Sequence, residues 1–388
     1  MRVSLGISSS TKNILLGEDG MDTENKVYRD LQKFLDTLPG GFSATKSGSD
    51  IRLLKYLFTP EEAKIAMHLS TKPEPAKQIH NRIKKSGTPI SIKELQRILN
   101  QMLYKGTLRS YYEGYDETHY RAPDPTAGGM LSVQLNHKLT KEFFNYLNEY
   151  AGETFGKRTS STKILNPLRT VPVGKSIPHP EKFPVNTYDD VGKMIEGAPG
   201  PFAVANCICR QKTKRFGVKC TKTELEETCL MINPDHARHY VDIGVGRFIS
   251  REEVHDILRQ AQKDGLVLQP ENSQKPEAIC VCCGDCCVFL KPIKAHPRPV
   301  EFFLANYYAV VAPELCDGCG ICIEKCQMDA RAMVDGIAVV NLDRCIGCGN
   351  CVVLCSSNAN RLEKKEQEIV PPDDKDAYYM TLLSHRQG

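Results

Sequence analysis

The chain has 388 residues, with 51 Lys and Arg against 47 Asp and Glu, and a formal charge of +4. The length is sufficient for two or three domains, and the charge is ordinary for a soluble protein. No apolar run approaches the roughly 18 residues of a membrane helix, and the first twenty residues lack the basic and then apolar pattern of a signal peptide.

Seventeen cysteines without a secretion signal predict metal-bound thiolates in a reducing compartment rather than disulfides. We therefore expect a cytoplasmic location. Charge is unevenly distributed along the chain: residues 51–110 carry a net +8 and residues 301–388 a net −5. The whole is predicted to be an α+β multidomain protein, whose parts follow in chain order.

Residues 1–50 are polar and rich in Ser and Gly, and we expect a partly ordered segment with one helix from Val27 to Leu38. In residues 51–123, Thr59-Pro60-Glu61-Glu62 and Ser91-Ile-Lys-Glu94 are capping boxes that begin helices. A further helix is expected at 75–85 and a hairpin at 107–122.

This order of helices and hairpin resembles a winged-helix domain, although no residue signature supports it. The resemblance implies that helix 91–105 could enter a DNA major groove, with its basic side chains near phosphates or bases: Lys93, Arg97, Lys105 and Arg109. Two other interpretations are a protein–protein module, and a cationic surface that docks the anionic carboxyl-terminal end or an acidic redox partner. DNA binding is the less favoured interpretation.

Residues 124–200 are predicted to contain a helix that begins at Thr140, followed by a proline-rich connector. Residues 201–300 form a cysteine-rich middle domain of irregular structure. A short strand at 202–206 leads into the first four cysteines of this domain: Cys207, Cys209, Cys220 and Cys229. They predict a four-thiolate site for a [4Fe-4S] cluster, with structural zinc and separate thiols as alternatives. His236 and His239 either complete a metal site or, as we prefer, form a surface pair.

The second group in the middle domain comprises Cys280, Cys282, Cys283, Cys286 and Cys287. Cys280, Cys283 and Cys286 have a C-x2-C-x2-C spacing, which suggests three ligands of one cluster with a fourth thiolate from Cys282, Cys287 or one of the cysteines in 207–229. A rival interpretation makes Cys283-Gly-Asp-Cys286 a thiol–disulfide pair. Nine cysteines between 207 and 287 therefore predict one or two further [4Fe-4S] clusters, or zinc.

Residues 301–362 contain a duplicated C-x2-C-x2-C-x3-C motif, repeated at a constant offset. The motif resembles the bacterial two-[4Fe-4S] ferredoxin domain, over roughly residues 305–362. In that family the fourth cysteine of each run binds the other cluster. The resemblance therefore implies one cluster on Cys316, Cys319, Cys322 and Cys355, and a second on Cys345, Cys348, Cys351 and Cys326. Such clusters suggest an anaerobic or microaerophilic owner.

Gln327 and Ser356 stand where the family usually has a proline after the fourth cysteine. Each non-proline residue leaves an extra backbone donor near a cluster, and hydrogen bonds to cluster sulfur raise the reduction potential. We therefore expect potentials above those of a proline-bearing relative. Residues 363–388 are charged and are predicted to be a loose tail, apart from an amphipathic end at residues 378–383.

The chain shows no phosphate-binding loop, dinucleotide fingerprint or nucleophile elbow. The favoured function is a multi-cluster electron-transfer protein, the electron-carrier component of an anaerobic oxidoreductase system, with a flavoprotein or an oxidoreductase subunit as its partner. The first alternative is a redox-sensing DNA-binding regulator. The second is an oxidoreductase whose middle cluster binds substrate.

Overall fold

The computed structural model describes residues 23–112, 114, 117–123, 139–159, 166–176 and 187–387. Helices and antiparallel sheets are mixed along the chain, which makes the protein α+β. Within the described residues, no helix combines the length and the apolar character needed to cross a membrane.

The N-terminal part consists mainly of helices. Its elements are α1 (Thr23–Thr37), α2 (Ser49–Leu57), α3 (Pro60–Ala66), β1 (Glu74–Pro75), α4 (Ala76–Lys85), α5 (Ile92–Lys105), β2 (Ser110–Tyr111), β3 (His119–Tyr120) and α6 (Lys141–Thr159). The Thr59 side chain accepts the amide of Glu62, and Ser91 accepts that of Glu94, as expected of N-caps. The short strands form a sheet in the order β1-β3-β2. The winged-helix assignment still rests on element order and stays a prediction.

Within residues 23–50, the helix that we expected from Val27 to Leu38 is present as α1. Helix α1 buries Leu31 and Leu35 completely, and Phe42 beyond it stacks on Tyr150 of α6 with ring centroids 4.6 Å apart. The amphipathic face of α1 supplies enough apolar surface to fix this segment, which shares one core with α2 to α6. Residues 1–22 lie outside the described part of the chain.

The middle part is a five-stranded antiparallel sheet in the order β6-β4-β5-β8-β7, so the expected irregular structure was wrong. The strands are β4 (Phe202–Asn206), β5 (Glu227–Met231), β6 (Gly246–Ile249), β7 (Val267–Pro270) and β8 (Ala278–Cys282). The helices around them are α7 (Val191–Gly197), α8 (Ile208–Arg215), α9 (Pro234–Asp242), α10 (Arg251–Asp264) and α11 (Leu290–Lys294). Apolar side chains on both faces of the strands are covered, which stabilises the sheet.

The C-terminal part is built from two antiparallel strand pairs. β9 (Tyr307–Val311) pairs with β12 (Asn360–Lys364), and β10 (Arg331–Val334) pairs with β11 (Ile337–Val340). The short helices α12 (Ile321–Glu324) and α13 (Asn350–Val353) each follow one cysteine loop.

Within residues 363–387 the amphipathic end expected at 378–383 is part of a helix, whereas the rest is not the loose tail that we predicted. Helix α14 (Lys375–Gln387) packs back onto the molecule, with Tyr378 and Tyr379 buried. The amide of Gln274 in the middle part donates to the carbonyl of Pro372 at 2.8 Å. This hydrogen bond joins the residues just before α14 to the middle part. Residue 388 is outside the described residues.

Candidate metal centre

The two cysteine loops of the C-terminal part have matching backbone geometry. Gly320 and Gly349, which precede α12 and α13, both have φ of 78°. Gly347 also has positive φ, and a Cβ atom there would lie 2.1 Å from the carbonyl oxygen of Tyr307. Only glycine allows this approach together with the left-handed conformation. The loops therefore wrap closely around the space that their sulfurs enclose.

Backbone amides point at the sulfurs of these loops. The amide of Ala309 lies 3.4 Å from Cys345 Sγ, and the amide of Ala338 lies 3.4 Å from Cys316 Sγ. The amide of Ala330 lies 3.3 Å from Cys326 Sγ. Donors of this kind stabilise thiolates that bear the negative charge of an iron–sulfur cluster. The residues present therefore fit such a group.

The structure brings Cys326 close to Cys345, Cys348 and Cys351. The fourth cysteine of the first run thus lies with the first three of the second run. Cys322 lies with Cys316 and Cys319. Cys355, which the ferredoxin resemblance assigns to that group, follows α13, where Ser357, Ala359 and Asn360 interact with its thiol.

The two sulfur groups differ in exposure and in their nearest cation. Cys319 is exposed, whereas Cys345 is buried and burial raises the pKa of Cys351 to about 11. The guanidinium of Arg331, itself buried, lies 2.7 Å from Cys351 Sγ and also interacts with Cys322. Arg331 therefore compensates negative charge between the two groups.

The nine middle cysteines separate into distinct groups. The first group, which we call the basal thiols, contains Cys207, Cys209, Cys282 and Cys287. Their thiols interact in succession, Cys207 with Cys209, Cys209 with Cys287, and Cys287 with Cys282, and Cys282 also interacts with Cys280. The amide of Val288 lies 3.5 Å from Cys209 Sγ, so these sulfurs also receive a backbone donor.

The second group, which we call the loop thiols, contains Cys220, Cys283 and Cys286. Cys220 Sγ lies 3.7 Å from Cys283 Sγ, and hydrogen bonds from Cys283 and Cys286 lower the pKa of Cys220. An oxygen of Asp285 lies 3.5 Å from Cys220 Sγ. One ligand atom from each of these four residues lies within 4.8 Å of the others.

The structure shows only part of the grouping predicted for the middle cysteines: Cys283 and Cys286 lie together, with a further thiolate, Cys220, from the 207–229 segment. Cys220 does not lie with Cys207 and Cys209, and Cys280 does not lie with Cys283 and Cys286. The reason is the alternation of side chains along β8: Cys280 and Cys282 face the core that contains Cys287, while Ile279 and Val281 face the core that contains Cys283 and Cys286. Cys229 is the register partner of Cys280 on β5.

Arg210, which follows the C-x-C run directly, lies between the two groups. It is buried, donates to the carbonyl oxygens of Leu225 and Val281 at 3.1 Å, and has a raised pKa: burial opposes its charge, but the neighbouring thiols, led by Cys207, outweigh burial. The sequence showed a basic run after Cys209, but not that one member is buried. Asp285 was likewise visible between two cysteines and was not predicted as a ligand.

His236 and His239 are not the surface pair that we preferred. Both lie on the buried face of α9, at 3% and 0% exposure, and burial lowers their pKa values, that of His239 to about 3. His236 lies beside Glu271 and Glu277 rather than beside a cysteine. The two histidines therefore remain neutral core residues, apart from the thiol groups.

The ferredoxin motif and the middle sheet meet at a buried joint. Gln327 accepts the amide of Gly284 at 2.8 Å and donates to the carbonyl of Gly265 at 2.9 Å. Asn350 also donates to Gly265, and Cys348 packs in the same apolar cluster as Cys282 and Cys287. The second cysteine loop thus lies directly against the basal thiols.

Comparison with known proteins gives one match. The family model described as a 4Fe-4S dicluster domain matches residues 308–356. A search of curated proteins and a search of solved structures each found no match. The C-terminal part therefore contains a 4Fe-4S dicluster domain, which suggests iron–sulfur electron transfer.

Proposed function

We propose that the protein carries electrons through iron–sulfur clusters in its C-terminal domain and passes them to or from a third cluster on the basal thiols. The observation that carries the proposal is the grouping of Cys326 with Cys345, Cys348 and Cys351, with amides directed at the sulfurs. When bound, such clusters supply one-electron couples whose potentials follow burial and hydrogen bonding. Cys316, Cys319, Cys322 and Cys355 would hold the other C-terminal cluster.

The exposed group suggests where a redox partner docks. Acidic side chains at Glu314, Asp317, Glu324 and Asp335 are exposed on the first cysteine loop and its neighbours. Exposed apolar side chains accompany them: Leu315, Met333, Val334 and Val339. An apolar patch with an acidic surround fits a partner with a basic rim. We propose an oxidoreductase subunit or a flavoprotein in the reducing cytoplasm as this partner.

The inner group is placed to exchange electrons with the middle part. Cys348 shares an apolar cluster with Cys282 and Cys287, and its carbonyl accepts the amide of Val173 at 2.9 Å. No three basal thiols have their sulfurs mutually within 4.8 Å among the described residues. Ligands of a single ion would all lie close to one another, so the basal thiols favour a cluster over a mononuclear site. Cys207, Cys209, Cys282 and Cys287 are the proposed ligands of the cluster, and Cys280, which interacts with Cys282, lies beside them.

The alternative of a DNA-binding regulator has less support. Lys105 Nζ lies 2.7 Å from both carboxylate oxygens of Glu62, and Arg109 pairs at 3.0 Å with Glu277 of the middle part. Arg97 pairs with Glu94 of its own helix. Basic side chains held in this way are less available to phosphates, and β2 is docked on α9 through Ser110.

Iron and sulfide analysis of the anaerobically purified chain, with paramagnetic resonance after reduction, tests the proposal. We expect about twelve irons per chain, four for each cubane. Cys209→Ser should lose about four irons, whereas the matched variant Cys229→Ser should lose none. About eight irons in the parent protein would overturn the third cluster, and a folded protein without iron or sulfide would overturn the whole proposal.

A further inference from the structure

We infer that Cys220, Cys283, Asp285 and Cys286 form a mononuclear zinc site, distinct from the clusters and with a carboxylate as its fourth ligand. The inference concerns a second class of metal and goes beyond the electron-transfer function. It rests on distances between ligand atoms, on the way Asp285 is held and on the contrast with the other thiols.

The distances match one tetrahedral ion. A tetrahedral zinc with Zn–S bonds of about 2.3 Å and a Zn–O bond of about 2.1 Å places two sulfurs about 3.8 Å apart, and a sulfur and an oxygen about 3.6 Å apart. Cys220 Sγ lies 3.7 Å from Cys283 Sγ and 3.5 Å from Asp285 Oδ1. All four ligand atoms can lie within 4.8 Å of one another, as ligands of a single ion must.

The loop thiols differ from the other thiols because three of their sulfurs lie close to one another at once. Thiolates on a cubane bind different irons and therefore stand farther apart than thiolates on one ion. Among the described residues, neither the basal thiols nor the eight cysteines of the C-terminal domain contain three sulfurs mutually within 4.8 Å. Pairs of neighbouring thiols occur elsewhere, but among the described residues Cys220, Cys283 and Cys286 are the one set of three cysteines whose sulfurs are mutually this close.

Asp285 is oriented as a ligand by its own partners. Its Oδ2 accepts the amide of Thr221 at 2.7 Å and the hydroxyl of Thr221 at 3.1 Å. This leaves Oδ1 directed at the sulfurs. Hydrogen bonds to the second oxygen of a ligating carboxylate fix its orientation in metal sites. Three thiolates and a carboxylate are a ligand set that zinc accepts, since zinc has no geometric preference from its d electrons.

The site joins segments that are far apart in sequence. Cys220 belongs to the loop between α8 and β5, whereas Cys283 and Cys286 follow β8. The turn that carries Asp285 is also held by the amide of Gly284, which donates to Gln327 of the C-terminal domain. Zinc is not redox-active, so its role here is to hold the loop and the turn beside the cluster domain. The middle cysteines then divide into an electron-carrying set and a structural set.

X-ray absorption at the zinc edge and metal analysis of the full chain, purified anaerobically from a medium that contains zinc and iron, test this inference. We expect about one zinc per chain with three sulfur neighbours near 2.3 Å and one oxygen near 2.0 Å. Asp285→Cys should keep the zinc and change its shell to four sulfurs. Asp285→Ala should speed zinc release to a chelator at least tenfold, and the exposed Asp256→Ala should not.

Iron content separates this inference from the proposed function. Cys283→Ser should lose the zinc and keep all of the iron, while Cys209→Ser should lose iron and keep the zinc. Loss of about four irons in Cys283→Ser would show that the loop thiols bind a cubane and would overturn the inference. A parent protein without zinc, or a zinc shell without oxygen, would also overturn it.

Discussion

Single side chains set the properties of the clusters that we propose, and Arg331 is the clearest case. Its guanidinium lies 2.7 Å from Cys351 Sγ and is buried, so its charge is poorly screened by solvent. It also interacts with Cys322 of the exposed group. A fixed cation stabilises the more negative, reduced state of a neighbouring cluster and so raises the potential.

Arg331→Met should therefore lower the potential of the inner C-terminal cluster. The lost charge-assisted hydrogen bond corresponds to about 1.5–3 kcal/mol. The hydrogen bond is present in both oxidation states and only its gain on reduction moves the potential, so at 59 mV for each 1.4 kcal/mol of a one-electron couple we expect a fall of up to about 60–130 mV. Protein-film voltammetry measures it, with the exposed Arg361→Met as the matched control. Equal potentials in both variants would show that Arg331 acts only in folding.

Gln327 has a structural role at the joint with the middle part. A comparison with Ser356, which also follows the fourth cysteine of a run, separates this role from the position next to a cluster. Gln327 is buried at the joint with Gly284 and Gly265, while Ser356 at the equivalent place in the second run is exposed. Removing the Gln327 amide leaves the buried amide of Gly284 unpaired, which costs about 1–3 kcal/mol, while the Gly265 carbonyl keeps the hydrogen bond from Asn350. We expect Gln327→Ala to lower the guanidinium midpoint, measured anaerobically, and Ser356→Ala to leave it unchanged. Similar midpoints would contradict the docking role.

The expectation that the missing prolines raise the reduction potentials is best tested at Ser356. Gln327→Pro would disturb both the donor at the cluster and the contact with Gly284, whereas Ser356→Pro changes the exposed backbone alone. A lower potential in Ser356→Pro would support the extra donor as the cause.

At the scale of elements, the sequence predicts best those features whose residues lie close together in the chain. The duplicated cysteine motif predicted its own loops because three ligands lie within seven residues and the glycines between them allow positive φ. The capping boxes at Thr59 and Ser91 predicted helix starts for the same reason. The division of the middle cysteines was not predictable in this way, because Cys220 and Cys283 are 63 residues apart and the direction of each sulfur depends on the alternation along β8.

The free energy of unfolding should depend on pH through helix α9, because His236 and His239 are neutral in the fold. Burial and then Arg109 lower both pKa values, that of His239 to about 3. An unfolded histidine takes up a proton near pH 6.5. The stabilising contribution of a histidine kept neutral in the fold is therefore complete above that pH and is lost as the pH falls towards the folded pKa.

We expect the free energy of unfolding to fall between about pH 6.5 and 4.5 by up to about 1.4 kcal/mol per pH unit for each buried histidine. His239→Gln should remove one such contribution, seen as a shallower dependence of the guanidinium midpoint on pH. His255, which is only partly buried on α10, gives the control His255→Gln. The same slope in all three proteins would contradict the assignment.

At the scale of the whole molecule, a buried ion cluster joins three parts of the chain. Glu277 of the middle part accepts Arg109 from the N-terminal part at 3.0 Å and Lys375 of α14 at 2.7 Å. Burial opposes its ionisation, but Arg109 and Lys375 hold the pKa of Glu277 well below its ordinary value. Arg386 at the far end of α14 contacts Asp36 near the end of α1. The sequence showed these charges but not their burial, because each partner comes from a different part of the chain.

Glu277→Ala should therefore loosen two junctions at once. Removing one member of a buried ion cluster leaves uncompensated charge, at a cost of about 3–5 kcal/mol. We expect a lower guanidinium midpoint together with earlier proteolytic release of α14. The iron content should stay at the parent value, because Glu277 is not among the proposed cluster ligands. The exposed ion-pair partner Glu227→Ala is the matched control, since surface pairs contribute about 0–1 kcal/mol. If α14 stayed as resistant as in the control, the ion cluster would not be what holds the C-terminal helix against the rest of the chain.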